Sequence, residues 1–155
     1  MRRLALALLT LAGPLPAQDL AFGGLSADPS LPVEVEAESL VVDRATGAAT
    51  FSGDVVIGQG DLRMGAGEVE VVYDEATGAV ARLLARGGVT IATATEAAEA
   101  LEADYDLAGR TLTLSGDVLL TQGTGALSAE RMVVDLATGT ARIEGRVRTV
   151  LGEAP

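Results

Sequence analysis

Four aspartates, Asp43, Asp74, Asp106 and Asp135, recur at steps of 31, 32 and 29 residues and are the most regularly placed reactive groups in the chain. The sequence has no histidine, cysteine or lysine, so the usual bases, thiol nucleophiles and nitrogen or sulfur metal ligands are missing. What remains is carboxylate chemistry, in which paired acids cleave glycosidic bonds on a repetitive β-scaffold. Each aspartate, however, opens a turn signal: Asp43-Arg44-Ala45-Thr46-Gly47, Asp74-Glu75-Ala76-Thr77-Gly78, Asp106-Leu107-Ala108-Gly109 and Asp135-Leu136-Ala137-Thr138-Gly139. In such runs Asp bonds to nearby backbone and Gly supplies a positive φ, which accounts for the recurrence without catalysis. The spacing also differs from the Gly-Gly-x-Gly-x-Asp of calcium-binding repeats. Gly58-Gln59-Gly60 precedes no helix signal, as a nucleotide loop would require. The expectation is a non-enzymatic protein with no catalytic residue, metal or cofactor.

The elements that carry these turns are strands. About ten residues after each turn comes a glycine-led apolar segment: Gly53-Asp54-Val55, Gly87-Gly88-Val89, Gly116-Asp117-Val118 and Gly145-Arg146-Val147. Turn and segment together form about four strand-turn-strand repeats of roughly 30 residues, each needing a neighbour to cover its apolar face. Strand periodicity sets the facing. Before the turns the dry side reads Leu40 and Val42; Val69, Val71 and Tyr73; Leu101, Ala103 and Tyr105; Met132 and Val134. After them it reads Phe51, Val55 and Ile57; Leu83, Val89 and Ile91; Leu112, Leu114, Val118 and Leu120; Ile143 and Val147. The opposite phase is largely polar, as in Thr111, Thr113 and Ser115. The glycine inside each second strand marks a bulge or a close backbone approach. Residues 94–101 allow either a helical turn or a loop or strand, and their place between two repeats favours the latter.

The chain opens as an export signal: Arg2 and Arg3, the apolar run Leu4 to Leu11, and a small residue at Ala17 before Gln18. That run is short of the roughly 20 residues that span a bilayer. Residues 1–17 are therefore read as a signal peptide, 18–32 as a flexible leader, 33–150 as one β-domain and 151–155 as a tail. Loss of Arg2 and Arg3 takes the net charge from −11 to −13. An acidic exported protein is a poor ligand for nucleic acid or for an anionic bilayer.

The stretch Ala49-Thr50-Phe51-Ser52-Gly53-Asp54-Val55-Val56-Ile57-Gly58-Gln59-Gly60-Asp61-Leu62-Arg63-Met64 resembles the central motif of the OstA-like domain, the LptA family of periplasmic lipopolysaccharide transport proteins. Leu112-Thr113-Leu114-Ser115-Gly116-Asp117-Val118-Leu119-Leu120-Thr121-Gln122-Gly123 repeats it with the same Gln-Gly ending. The resemblance runs from Val33 to about Val150. It implies an all-β, antiparallel β-jellyroll shaped as an open V, with lipid A acyl chains between its sheets. It further implies a bridge across the periplasm in which protomers, or the related domains of inner- and outer-membrane partners, join end to end by strand pairing.

On that reading the lipid-facing residues are Leu40, Phe51, Val55, Ile57, Leu62, Met64, Val71, Leu83, Val89, Ile91, Leu112, Leu114, Val118, Leu120, Met132, Ile143 and Val147. The same residues would equally serve as the packed core of a structural or interaction module of the envelope that binds no lipid. At the ends, Glu34, Glu36 and Glu38 alternate along the first strand, and Arg142, Arg146 and Arg148 are expected on one face of the last. The acidic edge of one copy is expected to meet the basic edge of the next.

Overall fold

Alternating aliphatic and polar residues, separated by the aspartate turns, build twelve strands in the computed structural model, which describes Asp28 and residues 30–152. The expected signal segment, residues 18–27 and 29 of the leader and residues 153–155 of the tail lie outside the described residues. The strands are β1 (Glu34–Glu36), β2 (Ser39–Val42), β3 (Ala49–Gln59), β4 (Leu62–Tyr73), β5 (Val80–Arg86) and β6 (Val89–Ala92). They continue as β7 (Glu96–Ala100), β8 (Glu102–Asp106), β9 (Thr111–Gln122), β10 (Gly125–Asp135), β11 (Thr140–Glu144) and β12 (Arg148–Val150). Residues 94–101 thus contain a strand, and no helix forms among the described residues.

The turns form as their composition dictates. Asp43 accepts a hydrogen bond on its side chain from the Ala45 N–H at 2.8 Å, while its carbonyl accepts from the Gly47 N–H at 2.8 Å. Asp74 and Asp135 repeat the arrangement with Gly78 and Gly139, and Asp106 accepts from the Gly109 N–H at 2.8 Å. Backbone donors of its own turn thus engage each recurrent carboxylate. In Asp74 the Thr77 and Ala76 N–H groups favour the charged form and lower its pKa.

Every pairing is antiparallel, and the long strands change partners midway. Residues 49–52 of β3 pair with β2 and with the end of β4, whereas residues 55–59 of the same strand face the start of β4, with β1 on their other side. The hydrogen-bonded sheet is continuous but consists of two halves. One runs β2, β3, β4, β5, β8, β9, β10, β11; the other runs β1, β3, β4, β6, β7, β9, β10, β12. The glycine-led segments lie where the chain passes from one half to the other. Gly53 and Asp54 have φ of 83° and 44°, Gly116 and Asp117 of 81° and 46°, and Gly145 and Arg146 of 81° and 47°. Two successive left-handed residues bend each strand, and the sheet turns a corner there.

The halves cover one another. Val69, Leu83, Leu112, Leu114 and Met132 of one half, and Ile57, Met64, Val89, Ile91 and Leu120 of the other, are all buried. Removing each such side chain from water contributes about 1.5–3 kcal/mol. Among the large residues that alternation puts on the dry side of the inner strands, Leu101 leaves the strand phase at the corner beside Gly116 and Tyr73 ends β4 just before the Asp74 turn, so both are exposed.

Candidate functional site: the inner face and its two ends

Each strand turns its apolar phase toward the opposing half. Of the residues read as lipid-facing, Val55, Ile57, Leu62, Met64, Val71, Leu83, Val89, Ile91, Leu112, Leu114, Val118, Leu120 and Met132 are buried together in one cluster, with Phe51 and Ile143 half-buried against it. Leu40 and Val147 correct the expectation, since each is 52 % exposed. Leu40 does share the face of its partner Phe51. It belongs to an edge strand, however, where nothing among the described residues covers it. Val147 follows the last corner, between β11 and β12, at the opposite end.

Both ends therefore present exposed apolar side chains beside strand edges that are unpaired among the described residues. Leu40, Val41 and Val42 stand exposed on β2; Val147, Val150 and Leu151 do so at the other end. There a cleft of about 230 Å³ is bounded by Leu120, Leu127, Val150 and Leu151. Unpaired strand edges of this kind accept a further strand.

The charged residues at these ends divide differently from the sequence reading. Glu34 and Glu36 lie on β1, but Glu38 has passed to the corner, where its N–H donates to the Gly53 carbonyl at 3.1 Å. Arg142, Arg146 and Arg148 do not share one strand face, because the corner at Gly145 separates β11 from β12. Arg142 pairs with Glu144 at 3.1 Å, and Arg146, at the corner itself, pairs with Glu130 at 3.3 Å. Arg148 remains on the edge strand β12. Elsewhere on the outer face Arg82 forms a two-pronged pair with Asp104, which raises its pKa further.

Polar residues also enter the apolar interior. Gln59 ends β3 on its inward phase and is buried; its Oε1 accepts from the Tyr105 hydroxyl at 2.8 Å and its Nε2 donates to the Leu31 carbonyl at 3.1 Å. Burial raises the Tyr105 pKa. Glu96 opens β7 and is also buried, with neither carboxyl oxygen hydrogen-bonded among the described residues. Sequence reasoning missed both Gln59 and Glu96. Gln59 sat between glycines, and Glu96 fell where the strand phase was unassigned, although its alternation with Ala98 and Ala100 carried the signal.

A continuous antiparallel sheet bent at glycine corners, aliphatic within and open-edged at both ends, defines a β-jellyroll of the OstA-like class. Residues 34–140 match the family described as "LptA/(LptD N-terminal domain) LPS transport protein", and the chain belongs to that family. Among solved structures it is similar to LptH from Pseudomonas aeruginosa, "the LptA homologous periplasmic component of the conserved lipopolysaccharide transport device". The TM-score is 0.73 at 19 % identity, over 82 % of this chain and 99 % of that one. A search of curated proteins gives no match.

Proposed function

We propose that this protein is a periplasmic carrier that binds lipopolysaccharide by its lipid A acyl chains and passes it from the inner toward the outer membrane. The observation that carries the reading is the contiguous aliphatic inner face, buried in both halves of the sheet, in a chain of this family. Each methylene transferred from water to such a surface is worth about 0.8 kcal/mol, so several chains bind well without a polar site. The −11 net charge leaves the lipid phosphates unattracted, which puts the burden on apolar burial. The reading of residues 1–17 as a signal segment supports export. The uncovered ends, with Leu40 and Val42 at one and Val147 and Leu151 at the other, suit head-to-tail joining to further copies or to related domains of membrane partners.

A second reading is an interaction module with a filled core. It is favoured by the depth to which Leu112, Leu114 and Met132 are covered, each 0 % exposed, which means that a carrier must part its halves to admit a chain. Photo-crosslinking side chains at Phe51 and Leu114, with outward Thr113 as control, decide between them in cells making lipopolysaccharide. Adducts at the two inner positions alone are expected. Exported, folded protein with no inner adduct overturns the carrier reading in favour of the module.

A further inference from the structure

Glu96 is a cost the fold does not need. It is 3 % exposed and lies on the inward phase of β7, followed on that face by Ala98 and Ala100. Its backbone closes the preceding turn, the N–H donating to Thr93 Oγ1 at 3.2 Å and the carbonyl accepting from the Thr93 N–H at 2.9 Å. The carboxyl takes no part in that turn, and both of its oxygens lack a hydrogen-bond partner among the described residues. Buried polar atoms of folded proteins are nearly always paired, so an unpaired acceptor calls for a donor from outside.

The surroundings narrow what that donor is. No arginine forms an ion pair with Glu96 among the described residues, and no group of three or more potential metal ligands occurs among them. Glu96 also occupies the hairpin end of its half-sheet, opposite Gln122 and remote from the glycine corner. The row from Glu96 through Ala98 to Ala100 runs inward from that end, polar first and then small and apolar. With the halves parted, an amphiphile lying along this row would present to Glu96 the junction between its chain and its headgroup.

Resting on the carrier reading, we infer that Glu96 is the polar recognition point of the interior. Its carboxyl accepts a hydrogen bond from an amide N–H or hydroxyl at the chain–headgroup junction of an N-acylated or hydroxyacylated lipid. It thereby favours such lipids over purely ester-linked ones.

Sphingomyelin and phosphatidylcholine of equal chain length share a headgroup and differ in the junction donors, which makes them the probes. Both are presented to the purified protein in one detergent, with lipid A as a separate ligand. Wild type is expected to prefer sphingomyelin by about tenfold, the size of one hydrogen bond to a buried acceptor. Glu96→Leu is expected to lose that preference, to bind phosphatidylcholine as before, and to unfold at a higher temperature without lipid. If wild type binds lipid A but does not distinguish the two probes, the role of Glu96 is overturned and the carrier reading stands. The wild-type comparison decides this even if the variant misfolds. If wild type binds none of the three lipids, both are overturned.

Discussion

The Tyr105 hydroxyl donates to Gln59 Oε1 at 2.8 Å and ties the two halves of the sheet together at their hairpin ends, away from the glycine corner. Tyr105 stands next to last in β8 and Gln59 is the last residue of β3. Gln59 reaches the Leu31 carbonyl with its other end, so its side chain is held from both directions. Tyr105→Phe keeps the ring and removes the donor, leaving a buried acceptor unpaired. The expected loss is about 1–3 kcal/mol, measured by urea unfolding. If a lipid enters by parting this edge, the same variant loads faster than wild type; unchanged loading places entry elsewhere.

Tyr105 also sets an alkaline limit. Burial raises its pKa above the ordinary 10.0, so the folded state holds the phenol proton more tightly than the unfolded chain does. This contribution is fully present below pH 10 and is lost as pH rises from there through the higher folded value. Chemical denaturation between pH 8 and 11 is expected to show stability falling only in the upper part of that range. In Tyr105→Phe this part of the fall disappears.

The corner imposes a sharper demand on glycine than the turns do. A Cβ at Gly116 would stand 2.8 Å from Leu101 Cδ1 and 3.0 Å from Leu101 Cβ, at a φ of 81°. At Gly47 the φ is 72° but nothing lies within 4 Å. Gly47→Ala therefore carries only the left-handed backbone penalty, about 1–2 kcal/mol. Gly116→Ala adds a clash with the stem of Leu101, for a total of about 2–4 kcal/mol. Pairing it with Leu101→Ala is expected to recover the steric share alone, and paired urea curves measure both.

Much of this fold was legible because strand facing is a local property. Val55, Ile57, Leu112, Leu114, Val118 and Leu120 lie where alternation put them, and the interior glycines mark the bends. Coverage is not local. Leu40 has the correct phase but sits on an edge strand, and Val147 follows the last corner and stays half exposed. The arginines misled for a related reason: Arg142 and Arg148 look like one strand until Gly145 and Arg146 divert the chain to the other half. Glu96 escaped notice because the polarity of residues 94–99 concealed a short strand whose inward face begins with an acid.

The contrast between Leu114 and Leu40 separates packing from exposed surface. Leu114 is fully buried in the row shared with Leu112, whereas Leu40 is 52 % exposed on β2. Leu114→Ala is expected to cost about 2–5 kcal/mol through lost burial and the cavity left behind. Leu40→Ala is expected to change monomer stability by no more than about 0.5 kcal/mol. If copies join through the β2 edge as proposed, its effect belongs instead to association, visible as a shift toward monomer in sedimentation velocity. A Leu40→Ala protein that assembles as wild type does would remove the β2 edge from the contact.

Charge reversal at the other end distinguishes two arginines that look alike in sequence. Arg146 is held by Glu130 of its own chain at 3.3 Å, and its backbone forms the corner. Arg148 lies on the edge strand β12 and forms no ion pair among the described residues. An incoming acidic β1 edge, with Glu34 and Glu36 exposed, can therefore be met by Arg148 without breaking an internal pair. Opposite charges across a strand pair contribute about 0.2–1 kcal/mol, so Arg148→Glu should weaken self-association by up to about fivefold at low salt. Glu36→Arg in the same chain should restore it, and raising the ionic strength should shrink both effects. Arg146→Glu places two acids at one corner, and its loss should appear in monomer stability before it appears in assembly.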